Sequence, residues 1–336
     1  MDQNKKLLVD IVLPTYNQEN YIKCAIQSIL DQNCDFGFRI IIGEDCSTDG
    51  TRQICESFAK RFPDKILLLK NEKNLGLVRN YENVFSQCIS KYIAILEGDD
   101  YWIDSLKLQK QVDILESNIS IGLIHTGSYT LTEKGTLKIN HLSVPRRMLE
   151  GDLYETLLVK RNTISPMTVL FRKELIEKYI DFNYFIKNEF KTIDYPLWLA
   201  ISRNSEIAYI AEPTAVYRAL KKSVSRPGNF EDIENFFQTS LKCKKYYFQK
   251  YPVSGLDENS VLSNTYSILA EAAFIFGRID KAKDYADRIL IKNFKNRFLK
   301  LAVTNRVFHR FFKLRLGLLP FFSDIKQVLY KLQNSN

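Results

Sequence analysis

The stretch Lys91-Tyr-Ile-Ala-Ile-Leu-Glu-Gly-Asp-Asp-Tyr-Trp102 decides how this chain folds. Its first part, Tyr92 to Leu96, is an apolar run of β-branched and aromatic residues without polar alternation. Such a run predicts a strand that is buried on both faces. Three acidic residues then follow within four positions, where that strand should end: Glu97, Asp99 and Asp100.

Clustered acidic residues of this kind are unfavourable unless something lies between them. Two carboxylates about 4 Å apart repel each other by about 4 kcal/mol at an effective dielectric constant near 20. A divalent cation, often one that also carries phosphate, removes this repulsion, and oxygen ligands suit Mg²⁺ or Mn²⁺ rather than zinc. The alternative is an acidic turn that caps a following helix, whose pattern begins at Asp104.

Three more strands are predicted upstream, and a polar loop follows each of them. Leu7 to Leu13, Phe38 to Ile42 and Ile66 to Leu69 are apolar runs that alternate with helical patterns. This alternation is typical of βαβ units with a parallel sheet. Ligands bind outside the carboxyl ends of such strands. A binding site is therefore expected at the edge that gathers the four polar loops, which are residues 14–17, 43–49, 71–79 and 97–100.

These segments, in this order, resemble the nucleotide-binding half of family-2 glycosyltransferases, and the resemblance covers about residues 7–225. It implies an α/β protein with a GT-A, Rossmann-like, mostly parallel sheet flanked by helices and an α-helical C-terminal extension. The implied domains are a nucleotide-sugar-binding half (1–105), an acceptor-binding and catalytic half (106–230), and a helical region with a basic amphipathic tail (231–336).

The resemblance also implies which residues bind the nucleotide. Tyr16 is a candidate for stacking on the base, Asp45 resembles the carboxylate that accepts a hydrogen bond from the base N–H, and Arg79 resembles the basic residue of the third loop. The whole implied set lies in the first three loops: Pro14, Thr15, Tyr16, Asn17, Glu19, Asp45 and Arg79.

Glu97-Gly-Asp99-Asp100 stands where the family has its Asp-x-Asp metal motif, with glutamate in place of the first aspartate. The implied ligands of Mg²⁺ or Mn²⁺ are therefore Asp99 and Asp100. The resemblance and the local chemistry together suggest further contacts with the donor, its diphosphate or the acceptor: Glu97, Tyr101, Trp102, Arg218 and Lys221.

Glycosyl transfer also requires a base that deprotonates the attacking hydroxyl group, typically worth 10²- to 10⁴-fold in rate. The segment Lys191-Thr-Ile-Asp194-Tyr-Pro-Leu-Trp198 resembles the family's acidic motif, so Asp194 is the predicted base. One base without a second nucleophile implies an inverting single displacement. Asp194 is alternatively a helix cap, because Pro196 suits a first helical turn. The two roles are compatible.

The segment Tyr217-Arg218-Ala-Leu220-Lys221-Lys222-Ser-Val-Ser225 resembles a mobile stretch that closes over the diphosphate in the family. Leu220 stands where histidine is common, which removes one metal or phosphate contact. Arg218, Lys221 and Lys222 would then supply the positive charge. The alternative is an ordinary solvated basic loop.

Composition agrees with a cytoplasmic enzyme. The six cysteines show no Cys-x-x-Cys spacing and are expected to be reduced thiols. The N-terminal apolar run is too short for an ordinary signal peptide, and no stretch approaches 18 uninterrupted apolar residues.

The net charge of +9 resides in the last 46 residues, 291–336, which hold ten basic residues against Asp324 alone. Basic residues alternate there with bulky apolar ones at helical spacing, which is typical of a segment that lies on an anionic membrane. The alternative is a pair of helices that pack on the catalytic domain with a basic outer face. Nucleic-acid binding is not expected, because the tail has no recognisable module and is too apolar.

The sequence therefore predicts an inverting, metal-dependent glycosyltransferase that uses a nucleotide-sugar donor, with UDP as the family default. The predicted acceptor is a glycan or a lipid-linked glycan of bacterial surface polysaccharide synthesis, at the inner face of the cytoplasmic membrane. A sugar-nucleotide nucleotidyltransferase would need a glycine-rich loop where Pro14-Thr-Tyr-Asn17 stands. A non-catalytic membrane scaffold would not need Asp45, Asp99 and Asp194.

Overall fold

A computed structural model describes residues 5–140, 144–160, 162–220, 229–290 and 294–304. They fall into two compact units, the first within 1–157 and 162–220 and the second within 158–161 and 221–336. The first unit is a sheet with flanking helices, and the second is helical.

The described part of the first unit contains one nine-stranded sheet, in the order β3-β2-β1-β4-β8-β6-β9-β5 with β7 added to β6. Strands β1 to β4 run parallel, whereas β8 is antiparallel to both of its neighbours. The strands are β1 (Leu7–Thr15), β2 (Gly37–Glu44), β3 (Ile66–Lys70), β4 (Tyr92–Ile95), β5 (Tyr101–Trp102), β6 (Ile121–Leu131), β7 (Leu137–Ile139), β8 (Leu170–Arg172) and β9 (Glu206–Arg218).

The central parallel strands are buried on both faces, as their unbroken apolar sequences predicted. In β4 all four residues are buried, and the middle of β1 and of β2 is equally inaccessible. The register pairs Val12 with Ile95 and Leu13 with Ile42. The carboxyl ends of these three strands therefore lie at one edge of the sheet, and the loops that follow them meet there.

Eight helices flank the sheet in the described part of the first unit, and the predicted apolar stripe of α1 is buried at Ile22, Ala25, Ile26 and Ile29. Helix α2 is preceded by Gly50, and Asp49 Oδ1 accepts the Thr51 N–H (3.0 Å). The helices are α1 (Ile22–Leu30), α2 (Thr51–Arg61), α3 (Leu77–Phe85), α4 (Lys107–Ser117), α5 (Tyr154–Val159), α6 (Lys173–Tyr179), α7 (Phe182–Lys187) and α8 (Asp194–Asn204).

The second unit contains α9 (Phe230–Lys250), α10 (Glu258–Ile275), α11 (Ile279–Asp287) and α12 (Phe294–Thr304). Helices α10 and α11 form a hairpin, which turns at Gly277 in a left-handed conformation (φ 73°) that glycine adopts without strain. Within the described residues, no helix has the length and apolar character needed to cross a membrane.

The structure describes only residues 294–304 of the basic tail. Leu299, Ala302 and Val303 of α12 are buried in the apolar core of the second unit. This part of the tail therefore packs within its own unit. Residues 305–336 lie outside the described residues.

The predicted fold class is confirmed. The chain is an α/β protein whose mostly parallel sheet is flanked by helices and followed by a helical C-terminal region.

Candidate active site

Backbone hydrogen bonds join the four polar loops at the carboxyl edge of the sheet. The Asp45 N–H donates to the Thr15 carbonyl (3.0 Å), and the Gly98 N–H donates to the Pro14 carbonyl (3.3 Å). The Asn71 N–H likewise donates to the Glu44 carbonyl (3.0 Å). The first loop therefore lies between the second and fourth loops, and the third loop is attached to the end of β2.

The carboxylates of Glu97, Asp99 and Asp100 form one cluster, in which an oxygen of each lies within 4.8 Å of the others. At that separation two full charges repel by about 3 to 4 kcal/mol at an effective dielectric constant near 20. Gly98 makes the cluster compact, because a Cβ there would collide with the side chains of Gln18 and Thr15. The four-residue motif therefore turns tightly beneath the first loop.

Burial raises the pKa values of all three acids, and repulsion from neighbouring carboxylates adds to this at Glu97 and Asp100. Burial is the largest cause at each, and it raises the pKa of Glu97 to about 8 with added contributions from Asp99 and Asp194. The pKa of Asp99 is also raised, and that of Asp100 is well above its usual range. A bound cation would stabilise the ionised carboxylates and so lower these pKa values. Three hard carboxylate oxygens at this spacing fit Mg²⁺ or Mn²⁺.

Asp194 is the first residue of α8 and lies close enough to the acidic cluster to act on its charges. Its charge contributes to the raised pKa values of both Glu97 and Tyr81. Burial raises the pKa of Asp194 itself, while Asn162 Nδ2 donates to its Oδ2 at 2.9 Å. The residue that precedes the helix as its cap is Ile193, so Asp194 occupies the first helical position. A partly buried carboxylate with a raised pKa is suited to accept a proton.

Tyr81 connects α3 to this pocket and was missed by the sequence analysis. It is 1% exposed, and its hydroxyl group donates to Glu97 Oε1 at 3.1 Å. Burial raises its pKa well above the usual value, with Glu97 as the next cause, so the phenol remains a donor. Only its position two residues after Arg79 on an amphipathic helix could have suggested it.

Asp45 organises the nucleotide side of the site. It is 3% exposed, and its Oδ1 accepts the Leu75 N–H (2.8 Å) and the Asn71 amide (2.9 Å). Its Oδ2 accepts the Gly76 N–H (3.0 Å). The same carboxylate therefore holds the third loop, a role that the sequence did not reveal.

The first loop is fixed to the second by its polar side chains. Asn17, at φ 52°, accepts the Thr48 N–H on Oδ1 (2.8 Å), and the Glu19 carboxylate accepts the Gly50 N–H (2.7 Å). Tyr16, between these contacts and Thr15, is 44% exposed. Its ring is therefore accessible to a planar ligand.

Gln18 links the first loop to the cluster, because its side chain accepts the Thr15 hydroxyl group (2.7 Å) and hydrogen-bonds Asp99. Arg79 lies exposed on the first turn of α3. Among the described residues it has no hydrogen bond or ion pair with the acidic cluster.

Arg218 fixes the end of β9 to the acidic motif. Its backbone N–H donates to Asp100 Oδ1 (2.9 Å), and its Nη1 donates to the Asp99 carbonyl (2.6 Å). The guanidinium also lies over the ring of Tyr101, 4.3 Å from its centroid, and 5.4 Å from that of Tyr21. A planar cation held in this way is well placed for an anionic ligand.

The other two predicted contacts are Trp102 and Lys221. Trp102 is 4% exposed, and its indole N–H donates to the Met167 carbonyl at 2.8 Å, so this ring is part of the core. Trp198 is fully buried, as expected of a core residue. Lys221 lies outside the described residues.

The comparisons with known proteins agree with this geometry. The family model described as "Glycosyl transferase family 2" matches residues 10–180, just over half of the chain. An uncharacterised Mycobacterium tuberculosis protein, Rv1520, is 32% identical over 210 residues, which are 62% of this chain and 58% of that protein. The chain thus spans less than two thirds of this relative.

Two named relatives are covered more fully. The putative teichuronic acid biosynthesis glycosyltransferase TuaG of Bacillus subtilis is 28% identical over 66% of this chain and 83% of its own length. The Escherichia coli UDP-Glc:alpha-D-GlcNAc-diphosphoundecaprenol beta-1,3-glucosyltransferase WfgD is 27% identical over 75% of this chain and 95% of its own.

Solved structures share the fold at low sequence identity. S. aureus TarS in complex with UDP-GlcNAc superposes with a TM-score of 0.59 at 16% identity, over 92% of this chain and 91% of that one. The mannosyltransferase PcManGT from Pyrobaculum calidifontis, in complex with GDP-Man and Mn²⁺, gives 0.57 at 14%, over 98% and 86%.

Proposed function

Because the chain belongs to glycosyl transferase family 2, we propose that it transfers a sugar from a nucleoside diphosphate donor to a hydroxyl group of a glycan, with inversion at the anomeric carbon. One observation supports this proposal most: the charge of Asp194 helps to raise the pKa of Glu97, so a candidate base from a distant segment lies near the acidic motif. The predicted halves, 1–105 for the nucleotide and 106–230 for the base and acceptor, are kept.

The hydrogen bonds of Asp45 support a uridine nucleotide over a guanosine nucleotide. A carboxylate has about four acceptor sites, and the described contacts with Asn71, Leu75 and Gly76 fill three of them. The one remaining site matches the single N–H on the edge of uracil, whereas guanine presents two neighbouring N–H groups. Tyr16 would stack on the base. UDP-linked donors are therefore preferred.

Asp99 and Asp100 would hold Mg²⁺ or Mn²⁺, with Glu97 at the third position of the cluster. When bound, such a cation supplies positive charge that neutralises a leaving diphosphate. Arg218 is assigned to the same diphosphate. Its guanidinium is held beside the acidic motif by stacking on Tyr101 and by the hydrogen bond to the Asp99 carbonyl. Lys221, which follows in the chain, would add a second positive charge.

Asp194 acts as the general base. The acceptor oxygen attacks the anomeric carbon, the acceptor proton passes to the Asp194 carboxylate, and the bond to the diphosphate breaks with its electron pair on the phosphate oxygen. Burial raises the pKa of Asp194, which makes it a stronger proton acceptor once ionised. Asn162 orients the carboxylate through Oδ2.

The acceptor class is suggested by the relatives. The name of WfgD gives it a sugar linked to diphosphoundecaprenol as acceptor, and that of TuaG places it in teichuronic acid synthesis. A glycan or lipid-linked glycan of surface polysaccharide synthesis is accordingly proposed here. The enzyme would work in the cytoplasm at the inner face of the membrane, with an anionic surface contacted through residues 291–336.

Calorimetric titration with UDP-, dTDP- and GDP-sugars, with and without Mn²⁺, tests the donor proposal. UDP-sugars should bind most tightly, and only with the metal. Asp99→Asn should abolish the metal-dependent part, whereas Asp64→Asn, the same change on an exposed turn between α2 and β3, should bind normally. Tight, metal-independent binding by wild type and Asp99→Asn alike would reject the assigned metal site.

Liposome sedimentation tests the membrane contact separately. Deletion of residues 305–336 spares α12, whose apolar side chains belong to the core of the second unit. It should weaken sedimentation with anionic liposomes and leave neutral liposomes unaffected. Equal sedimentation of both proteins would reject the membrane contact.

A further inference from the structure

A groove of about 520 Å³ runs along the first unit beside the acidic pocket. One wall is the outer surface of α1 and the turn before it, where Lys23, Gln27 and Asn20 are exposed. The facing wall is the segment from Tyr101 to Ser105, which directly follows the acidic motif. Nothing proposed above uses this groove.

The end of the groove at Tyr101 and Asn20 adjoins Arg218 of the candidate active site. Tyr101 lines the groove, and its ring also stacks on the Arg218 guanidinium at 4.3 Å. Asn20, on the opposite wall, precedes Tyr21, whose ring faces the same guanidinium at 5.4 Å. A ligand that enters the pocket from this side would therefore extend into the groove.

The floor of the groove is firmly built. The backbone N–H of Trp102 donates to Ser28 Oγ (3.1 Å). The Gln32 side chain donates to the Asp104 carbonyl (2.7 Å) and accepts the Leu108 N–H (3.1 Å). These bonds fix α1 to the segment that follows the acidic motif. The groove is consequently present before any ligand binds, as binding sites usually are.

The chemistry of the walls suits a polyhydroxylated ligand. Side-chain amides at Asn20 and Gln27 both donate and accept, and the ring of Tyr101 offers an apolar face. The lining holds Lys23 together with two carboxylates, Asp31 and Asp104, so the groove has no excess of positive charge for a phosphate chain.

We propose that this groove is a saccharide subsite, which binds units of the acceptor glycan beyond the unit that reacts. The inference rests on the proposed function, because it takes the acceptor to be an oligosaccharide. It makes the enzyme favour an acceptor of several units over a single sugar.

Two native cysteines report on the two sites separately. Cys24 is exposed in the wall of the groove, and Cys46 is partly exposed next to Asp45 in the nucleotide site. The other four cysteines are buried, and burial raises the pKa of the Cys34 thiol to about 11 and that of Cys55 to about 12. Alkylation by N-ethylmaleimide, followed by peptide mass spectrometry, should therefore modify Cys24 and Cys46 first.

The experiment begins with an array of bacterial surface oligosaccharides probed with the wild-type protein, UDP and Mn²⁺. Bound glycans of two or more units should protect Cys24 from alkylation, while UDP with Mn²⁺ should protect Cys46. Asn20→Ala with Gln27→Ala should weaken glycan binding roughly tenfold through the lost hydrogen bonds. Gln53→Ala, an exposed glutamine on the neighbouring α2, is the matched control and should bind like the wild type.

The outcomes separate the two proposals. Protection of Cys24 that disappears in the double variant, with normal UDP binding, supports the subsite. No glycan retained, glycans bound equally by the double variant, or Cys24 alkylated at the same rate with and without glycan each overturn it. Failure of UDP to protect Cys46 would instead count against the proposed nucleotide site.

Discussion

Replacing Asp45 with asparagine should weaken UDP binding about tenfold to a hundredfold. The carboxylate accepts hydrogen bonds from Leu75 and Asn71 on one oxygen and from Gly76 on the other. Asparagine keeps one oxygen and places an NH₂ group against a backbone N–H, so at least one bond to a charged acceptor is lost. Such a bond contributes about 1.5–3 kcal/mol, and each 1.4 kcal/mol corresponds to a factor of ten in affinity.

Asp45→Asn should lower the binding free energy of the nucleotide more than it lowers the free energy of unfolding. The affected residues lie in the third loop. This loop is still held by the remaining contacts of Asp45 and by Arg52 Nη2, which donates to the Asn71 carbonyl at 2.6 Å. Calorimetric titration of UDP with Mn²⁺ measures the affinity, and urea unfolding measures the stability of the same samples. Asp64→Asn serves as the control for the change in charge. Wild-type UDP affinity in Asp45→Asn would refute both the loop argument and the assigned base contact.

Three further changes probe the pocket and its support. Tyr81→Phe removes the donor to Glu97, so the pKa of Glu97 should rise further. Mn²⁺ binding, measured by electron paramagnetic resonance, should therefore weaken about tenfold at pH 7 and recover near pH 9. Asn162→Ala should lower the transfer rate about tenfold in a radiolabelled-donor assay without changing UDP affinity, because Asp194 loses a donor and the other bonded group, the Ile164 N–H, lies outside the nucleotide loops; unchanged transfer would contradict the orienting role. Burial lowers the pKa of Lys107 to about 7, so between pH 7 and 10.5 the unfolded chain binds more protons and stability rises with pH. Lys107→Met should therefore raise the free energy of urea unfolding by roughly 2–3 kcal/mol more at pH 6 than at pH 9; an equal gain at both pH values would contradict this.

The strands and the edge at which ligands gather could be predicted from the sequence. Unbroken apolar runs such as Tyr92 to Leu96 have few stable environments other than a buried parallel strand, and the connections place their polar loops at one edge. The acidic cluster follows directly, because Glu97, Asp99 and Asp100 are neighbours in the chain and need no long-range contact to meet.

Contacts that depend on packing could not be predicted. Tyr81 reaches Glu97 because α3 packs against the sheet with that face inward, and Asn162 reaches Asp194 across 32 positions of sequence. Nothing local distinguishes these residues from other polar or aromatic positions. The double use of Asp45, as holder of a loop and as proposed contact for the base, likewise depends on a fold that the local sequence does not encode.

The position of Arg218 was predictable in part from the local sequence and depends in part on packing. Its motif indicated an anion contact, but the sandwich between Tyr101 and Tyr21 depends on strand β9 pairing with β5. The same pairing buries Trp102, one residue further along, in the core. Two adjacent aromatic residues thus face different environments, which follows from the alternation of side chains along a strand.

The most direct test of the central claim is to measure donor binding and sugar transfer on Asp194→Asn in parallel. The amide is nearly the same shape and can still pair with Asn162, but it cannot take a proton. UDP-sugar affinity with Mn²⁺ should stay within about twofold of the wild type, while transfer falls by about 10²- to 10⁴-fold. Transfer near the wild-type rate would contradict the account.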